Sequence, residues 1–262
     1  MLLVIDIGNT NITYGIYCDN NLVVKDCILT TLSKPDNEYA ISIIELFINK
    51  KIDCLKIDNV IIASVVPSLN EVIKNAIKKF VSTSTKINII GQDKVKLNIF
   101  NKTTRPSEVG HDRLINAIAA HNVYTDNLII IDFGTAITLD VVANNGDYLG
   151  GIILPGLNIS LKALHENTSK LPLLKFRKPS KVIGTGTNEA ILSGIYHGFN
   201  SSISGLVKKI EDEYGKKMTR VFTGGQAFYF KDLIDNLNGF YEPSLTLNGL
   251  KIIHDHNIII KK

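Results

Sequence analysis

Three carboxylates stand where a charged oxygen could do more than solvate a surface. Asp6 opens Asp6-Ile7-Gly8-Asn9-Thr10-Asn11-Ile12-Thr13 at the end of the apolar run Leu2–Ile5, and Asp132 opens Asp132-Phe133-Gly134-Thr135 at the end of Leu128–Ile131. Asp112 lies in Pro106-Ser-Glu-Val-Gly110-His111-Asp112-Arg113. In the first two segments glycine lets backbone approach a ligand, and hydroxyl and amide groups supply partners for phosphate oxygens. Two such turns facing one cleft would grip a polyphosphate and its cations from both sides, which phosphoryl transfer needs besides a positioned acceptor. In the third, a carboxylate beside an obligate cation at a helix start could take a proton from an alcohol while Arg113 holds an anionic substrate. A fourth segment, Val221-Phe-Thr223-Gly224-Gly225-Gln226-Ala227, reads strand, Gly-Gly, helix and suits close packing against a flat ligand such as adenine. Each has a plainer alternative: a tight hairpin turn for the first two, an acidic helix start with a surface ion pair for the third, and an ordinary strand-to-helix turn for the fourth.

The elements that must position these groups repeat. Leu2-Leu-Val-Ile-Asp6-Ile-Gly8 leading into Ile12-Thr-Tyr14-Gly-Ile16 matches Leu128-Ile-Ile-Ile-Asp132-Phe-Gly134 leading into Ile137-Thr-Leu139-Asp-Val141. Both copies read as a buried strand, an acidic turn and a half-exposed alternating strand, that is, a β-hairpin. The copies differ by one residue, since Thr10 follows its Asp by four positions and Thr135 by three. The repeat predicts two domains on one plan, 1–115 and 116–262. Helical spacing appears over Tyr39–Lys51, Ser68–Ser82 and from Ser107 to His121, with strands at Val60–Val66 and Ile87–Ile90. The second half adds a strand at Tyr148–Leu154 and helices near Asn158–Glu166, Asn188–Glu213 and Ala227–Asn236. Short strands at Val221–Thr223 and Gly239–Tyr241 and a helical Leu250–His254 close it.

Composition narrows the class. With 262 residues, 45% hydrophobic and 21% charged, the chain reads as an ordinary globular protein able to bury its own core, not a disordered one. Lys+Arg total 29 against 25 Asp+Glu, so nothing suggests a nucleic-acid-binding domain, and no nucleic-acid partner is expected. No run approaches the ~18 apolar residues of a membrane span, and Met1–Ile5 is too short for a signal-peptide core, so a cytoplasmic protein without a membrane partner is expected. Cys18, Cys27 and Cys54 lack metal-site spacing and read as reduced, mostly buried thiols. His254-x-His256 reads as surface or sheet-edge histidines, and the basic Lys175–Lys181 segment as a solvated loop, an entrance shield or a nucleic-acid contact.

Taken in order, these segments resemble the type III pantothenate kinases of the acetate and sugar kinase, Hsp70 and actin superfamily. The resemblance runs from Asp6-Ile-Gly-Asn-Thr10 through Gly110-His-Asp-Arg113, Asp132-Phe-Gly-Thr135 and Gly150-Gly-Ile-Ile-Leu-Pro-Gly156. It continues over Gly184-Thr-Gly-Thr187, Thr223-Gly-Gly225 and Pro243-Ser-Leu-Thr-Leu-Asn-Gly249-Leu250. It implies an α/β fold of two actin-like, ribonuclease H-like domains with a nucleotide cleft between them, and ATP-dependent phosphorylation of pantothenate, the first step toward coenzyme A. It also implies that Asp6, Ile7, Gly8, Asn9, Thr10, Asn11, Ile12 and Thr13 form the first ATP loop, with Asp6 near Mg²⁺, and that Thr135 contacts ATP. By the same resemblance Asp112 is the base, Gly110, His111, Asp112, Arg113 and Thr187 bind pantothenate, Asp132 holds K⁺ or NH₄⁺, and the protein is a homodimer. Three positions depart from the family: Thr103 replaces a substrate-contacting Tyr, Ile137 a Thr, and Gly186 an Asn. A kinase for another small alcohol and a regulatory protein, as some members of the family were first described, are the rival readings.

Overall fold

The computed structural model describes residues 1–259 and divides into two compact units. The first holds β1 (Leu2–Ile7), β2 (Asn11–Cys18), β3 (Asn21–Leu29), α1 (Asp36–Asn49), β4 (Asn59–Ser64), α2 (Asn70–Lys78) and β5 (Lys86–Ile89). To it also belong the start of α3 (His111–Val123), as far as Ala119, and the C-terminal helix, called α7 below. Phe100–Thr104 and Ala120–Pro243 form the second. That unit holds β6 (Leu128–Phe133), β7 (Ala136–Val142), β8 (Tyr148–Pro155), α4 (Leu157–Glu166), α5 (Thr187–Tyr214), β9 (Thr219–Thr223), α6 (Lys231–Asn236) and β10 (Phe240–Tyr241); α7 is Leu245–Ile259.

The sheets share one topology. The first runs β3-β2-β1-β4-β5 and the second, read from the matching edge, β8-β7-β6-β9-β10. In each, the first three strands of the unit are antiparallel neighbours and the last two lie parallel to the first. This is the ribonuclease H-like plan, built twice on the repeated hairpin.

Alternate strand residues face opposite sides of a sheet. Leu3, Ile5 and Ile7 join Ile12, Tyr14 and Ile16 in a core with Tyr39, Ile43 and Phe47 of α1 and Ile73 and Ile77 of α2. Leu2 and Val4 join Tyr17, Ile61 and Ala63 in another with Ile115 of α3 and Leu247, Leu250 and Ile253 of α7. Helices on both faces explain why β1 reads as an unbroken apolar run, and each fully buried Leu or Ile contributes about 1.5–3 kcal/mol. In the second unit Ile129, Ile131 and Phe133 pack with Leu157 and Leu161 of α4, Tyr196 and Ile203 of α5 and Leu233 of α6. Phe230 stacks there on Phe133 at 4.6 Å and on Tyr196 at 5.3 Å.

Several expectations are corrected. The second strand of the first hairpin is buried on both faces from Tyr14 to Tyr17, not half-exposed, because α7 covers the side the alternation left to solvent. β3 was not expected at all. The predicted helix from Ser107 is a 3-10 turn at Pro106–Glu108 followed by α3 from His111. The C-terminal helix is longer than Leu250–His254, and it packs on the first sheet although its sequence lies in the 116–262 half. Cys18 and Cys27 are exposed and Cys54 half-buried, since the first two sit at the outer end of β2 and on the edge strand β3. His254 is buried on α7 rather than at a surface or a sheet edge.

Candidate active site

The first acidic turn is short and braced. The Gly8 amide donates to the Asn11 carbonyl at 3.0 Å, and the Thr30 hydroxyl and amide donate to the carbonyls of Gly8 (2.7 Å) and Thr10 (3.0 Å). Asn9, Thr10 and Asn11 are left exposed at its tip, while Ile7 and Ile12 are core residues that can offer a ligand only backbone. Asp6 is half-buried and pairs in register with Thr13 and Ala63. It shares the face of Val4 and Ala63, which is the face α3 covers through Ile115.

At the head of α3, three residues before Ile115, stands Asp112. The Arg113 amide donates to Asp112 Oδ1 at 2.9 Å, and the Arg113 and Leu114 amides reach the Gly110 carbonyl at 3.2 and 3.4 Å. A Cβ on Gly110 would lie 2.4 Å from Asp112 Oδ1, so glycine keeps clear the space the carboxylate occupies. His111 rests its ring on Gly91, where φ is +84° and a Cβ would fall 2.5 Å from the imidazole. The turn at Gly91 is tied by the Ile89 amide donating to Asp93 Oδ2 at 2.6 Å. Gly91 was not singled out from the sequence; Ile90-Gly91-Gln92-Asp93 after a strand was the available signal. The first unit thus brings Asp6 and the Gly110–Arg113 segment to one sheet face.

In the second unit the acidic turn is one residue shorter, with the Gly134 amide donating to the Ala136 carbonyl at 3.1 Å and Thr135 exposed. Two glycines back it. A Cβ on Gly156 would fall 2.1 Å from the Thr135 carbonyl oxygen, and one on Gly224, at φ +93°, 2.4 Å from Asp132 Oδ1 and 2.5 Å from the Phe133 nitrogen. The close packing expected of Thr223-Gly-Gly is therefore made by Gly224 against the chain's own backbone, whereas Gly225 has open space beside it. Asp132 pairs in register with Thr138, whose hydroxyl donates to Asp140 Oδ2 at 2.8 Å. Asp140 is fully buried and its other oxygen accepts from the Tyr148 hydroxyl at 2.6 Å.

Thr187 is exposed in the first turn of α5, after Gly186 as N-cap. The chain before it is tethered by the Ser193 hydroxyl donating to the Val182 carbonyl and by Lys178, which pairs with Asp232 at 2.5 Å. That hydrogen bond holds the Asp232 carboxyl below the usual carboxylate range. The basic segment is thus partly pinned rather than a simple solvated loop. Thr103, half-buried, spends its hydroxyl on Asn101 Oδ1 at 2.7 Å.

Among the described residues no three His, Cys, Asp or Glu side chains gather into a metal-holding group. One carboxylate per turn beside hydroxyl and carbonyl oxygens suits hard cations, and Mg²⁺ in kinase sites takes only one or two carboxylates plus phosphate and water.

The sequence profile of the type III pantothenate kinases matches residues 2–209. Type III pantothenate kinases of Paramagnetospirillum magneticum and Finegoldia magna are each 40% identical to the chain, over 257 and 266 residues, covering 98% of it and 98% of the relative. Among solved structures, a Campylobacter jejuni protein assigned to the Baf family of transcriptional activators is similar with a TM-score of 0.59 at 22% identity, covering 97% of this chain and 98% of that one. Component A of the (R)-2-hydroxyglutaryl-CoA dehydratase of Acidaminococcus fermentans follows at 0.53 and 16%, covering 95% and 94%; at these identities the likeness is one of fold. With the profile spanning most of its length and relatives matching it nearly end to end, the chain belongs to the type III pantothenate kinase family.

Proposed function

We propose that the protein transfers the γ-phosphoryl group of ATP to the primary hydroxyl of pantothenate, giving 4'-phosphopantothenate. The observation that carries this reading is Asp112, a carboxylate at a helix head with its space kept by Gly110, on the sheet face that bears Asp6. Asp112 takes the proton of the attacking hydroxyl, whose oxygen bonds to the γ-phosphorus as the bond to ADP breaks. Arg113, Gly110, His111 and Thr187 bind the acceptor, with the guanidinium suited to its carboxylate. The exposed tip Gly8–Asn11, with Thr13 and Thr135, binds ATP. Asp6 would hold Mg²⁺ and Asp132 K⁺ or NH₄⁺, cations that neutralise charge on the phosphates. The protein works as a homodimer in the cytoplasm.

The test is ADP release by the purified protein with pantothenate, glucose, glycerate or acetate in the presence of Mg²⁺ and K⁺. Turnover with pantothenate alone is expected; turnover with another alcohol and none with pantothenate would overturn the assignment.

A further inference from the structure

Asp140 lies in the second hairpin two residues beyond Thr138, and no role falls to it in the reaction as described. It has no exposed surface, a costly place for a carboxylate unless its oxygens are satisfied. Both oxygens are taken by hydroxyl donors: Oδ1 by Tyr148 at 2.6 Å and Oδ2 by Thr138 at 2.8 Å. Thr138 is the register partner of Asp132, so the two side chains stand on one face about 4.5–5.5 Å apart at Cβ. A hydroxyl has one proton and two lone pairs. With its proton committed to Asp140, Thr138 can offer its neighbours only lone pairs.

We propose that Asp140 is a positioning residue for the second acidic turn: it fixes the Thr138 hydroxyl as an acceptor beside Asp132, adding a second oxygen to the face that meets the nucleotide and its cations. Tyr148 holds the far end, with its amide donating to the Phe100 carbonyl and its carbonyl accepting from the Lys102 amide, both at 2.9 Å. Asp140 therefore cannot rotate away from Thr138 without losing Tyr148. The inference rests on the proposed kinase reading for the identity of the nucleotide, though not for that of the acceptor.

The experiment compares Asp140→Asn, Thr138→Val and Thr138→Ser by calorimetric titration with ATP and Mg²⁺, without acceptor, and by steady-state kinetics. Losing one such interaction weakens binding roughly three- to tenfold. Asp140→Asn and Thr138→Val are expected to raise the ATP Kd and KM by that factor with the acceptor KM unchanged, while Thr138→Ser, which keeps the hydroxyl, stays near wild type. Should Asp140→Asn not fold, Thr138→Val against Thr138→Ser still decides. Folded Asp140→Asn or Thr138→Val with wild-type ATP affinity, or equal losses in Thr138→Val and Thr138→Ser, would overturn the proposal. Wild-type protein that binds ATP without phosphorylating pantothenate would refute the acceptor assignment and leave this test standing.

Discussion

Gly224 and Gly225 are adjacent, yet a methyl group should destabilise the fold at the first and leave its stability unchanged at the second. At Gly224 it would meet Asp132 Oδ1 at 2.4 Å and the Phe133 backbone at 2.5 and 2.6 Å, with φ at +93°. Holding a non-glycine residue in such backbone costs about 1–3 kcal/mol, and forcing a methyl into filled space about 1–3 kcal/mol more. Restricting the unfolded chain returns about 0.4–1 kcal/mol. Gly224→Ala should therefore lose roughly 2–5 kcal/mol, which at about 2–4 °C per kcal/mol lowers Tm by roughly 4–20 °C. Because the obstruction falls on Asp132 itself, ATP affinity should drop as well. At Gly225 no atom lies within 4 Å of the added carbon and φ is not positive, so Gly225→Ala should leave Tm within about 2 °C. If the nucleotide lies against that open backbone, its KM for ATP rises all the same. Circular dichroism melts and ATP titrations on both variants check this. A Gly224→Ala protein that melts with the wild type, or equal Tm losses in the two, would refute the packing argument.

Asp112→Asn should lower kcat by about 10²–10⁴ while ATP still binds, and single-turnover kinetics near the wild-type rate would remove Asp112 from its role as base. Thr103→Tyr should lower the pantothenate KM roughly threefold to tenfold with kcat little changed; a raised KM would mean that the ring clashes. Glu211 is buried, and burial pushes its pKa up, but Lys217, the Met218 amide and Arg220 outweigh this and hold it below the usual carboxylate range. A depressed native pKa gives stability that is present above the unfolded value, about 4.3, and fades as pH falls through the native one. Glu211→Gln should thus cost about 1–3 kcal/mol at pH 7, with the gap narrowing below pH ~4; urea melts showing a pH-independent gap would contradict this.

The repeated hairpin was legible because β1 and β6 are buried on both faces and end in the same acidic turn, so Leu2–Asp6 and Leu128–Asp132 nearly coincide. The residue types of β3 hid the strand: exposure alternates along all of Asn21–Leu29, but apolar Val23 and Leu29 fall on the exposed side and Asp26 on the sheltered one, so the sequence lacks the apolar–polar alternation that marks a half-buried strand. Thr246, Asn248 and Gly249 break the apolar pattern of α7, so its first turn is not legible in the sequence. Thr246 donates instead to Asn116 at 2.7 Å, and a Cβ on Gly249 would fall 2.5 Å from the Ile115 carbonyl oxygen. A sequence window shows that such a helix has an apolar side but not which sheet receives it. At the site, Asp6, Asp112 and Asp132 were visible as charges at glycine-bearing turns. Gly91 and Gly156 were not singled out for close packing, since their work is to leave room for atoms distant in sequence, as far as 21 residues away for Gly156 and Thr135.

The C-terminal helix also sets an order of events during synthesis. Leu2, Val4 and Tyr17 leave the ribosome long before Leu247, Leu250 and Ile253, which share their core. Every strand of the second sheet and the helices packed on it are made before then. The unit that starts first is thus finished second. Until α7 emerges, the nascent protein carries one face of its first sheet without this cover, the kind of exposed apolar surface on which chaperones act.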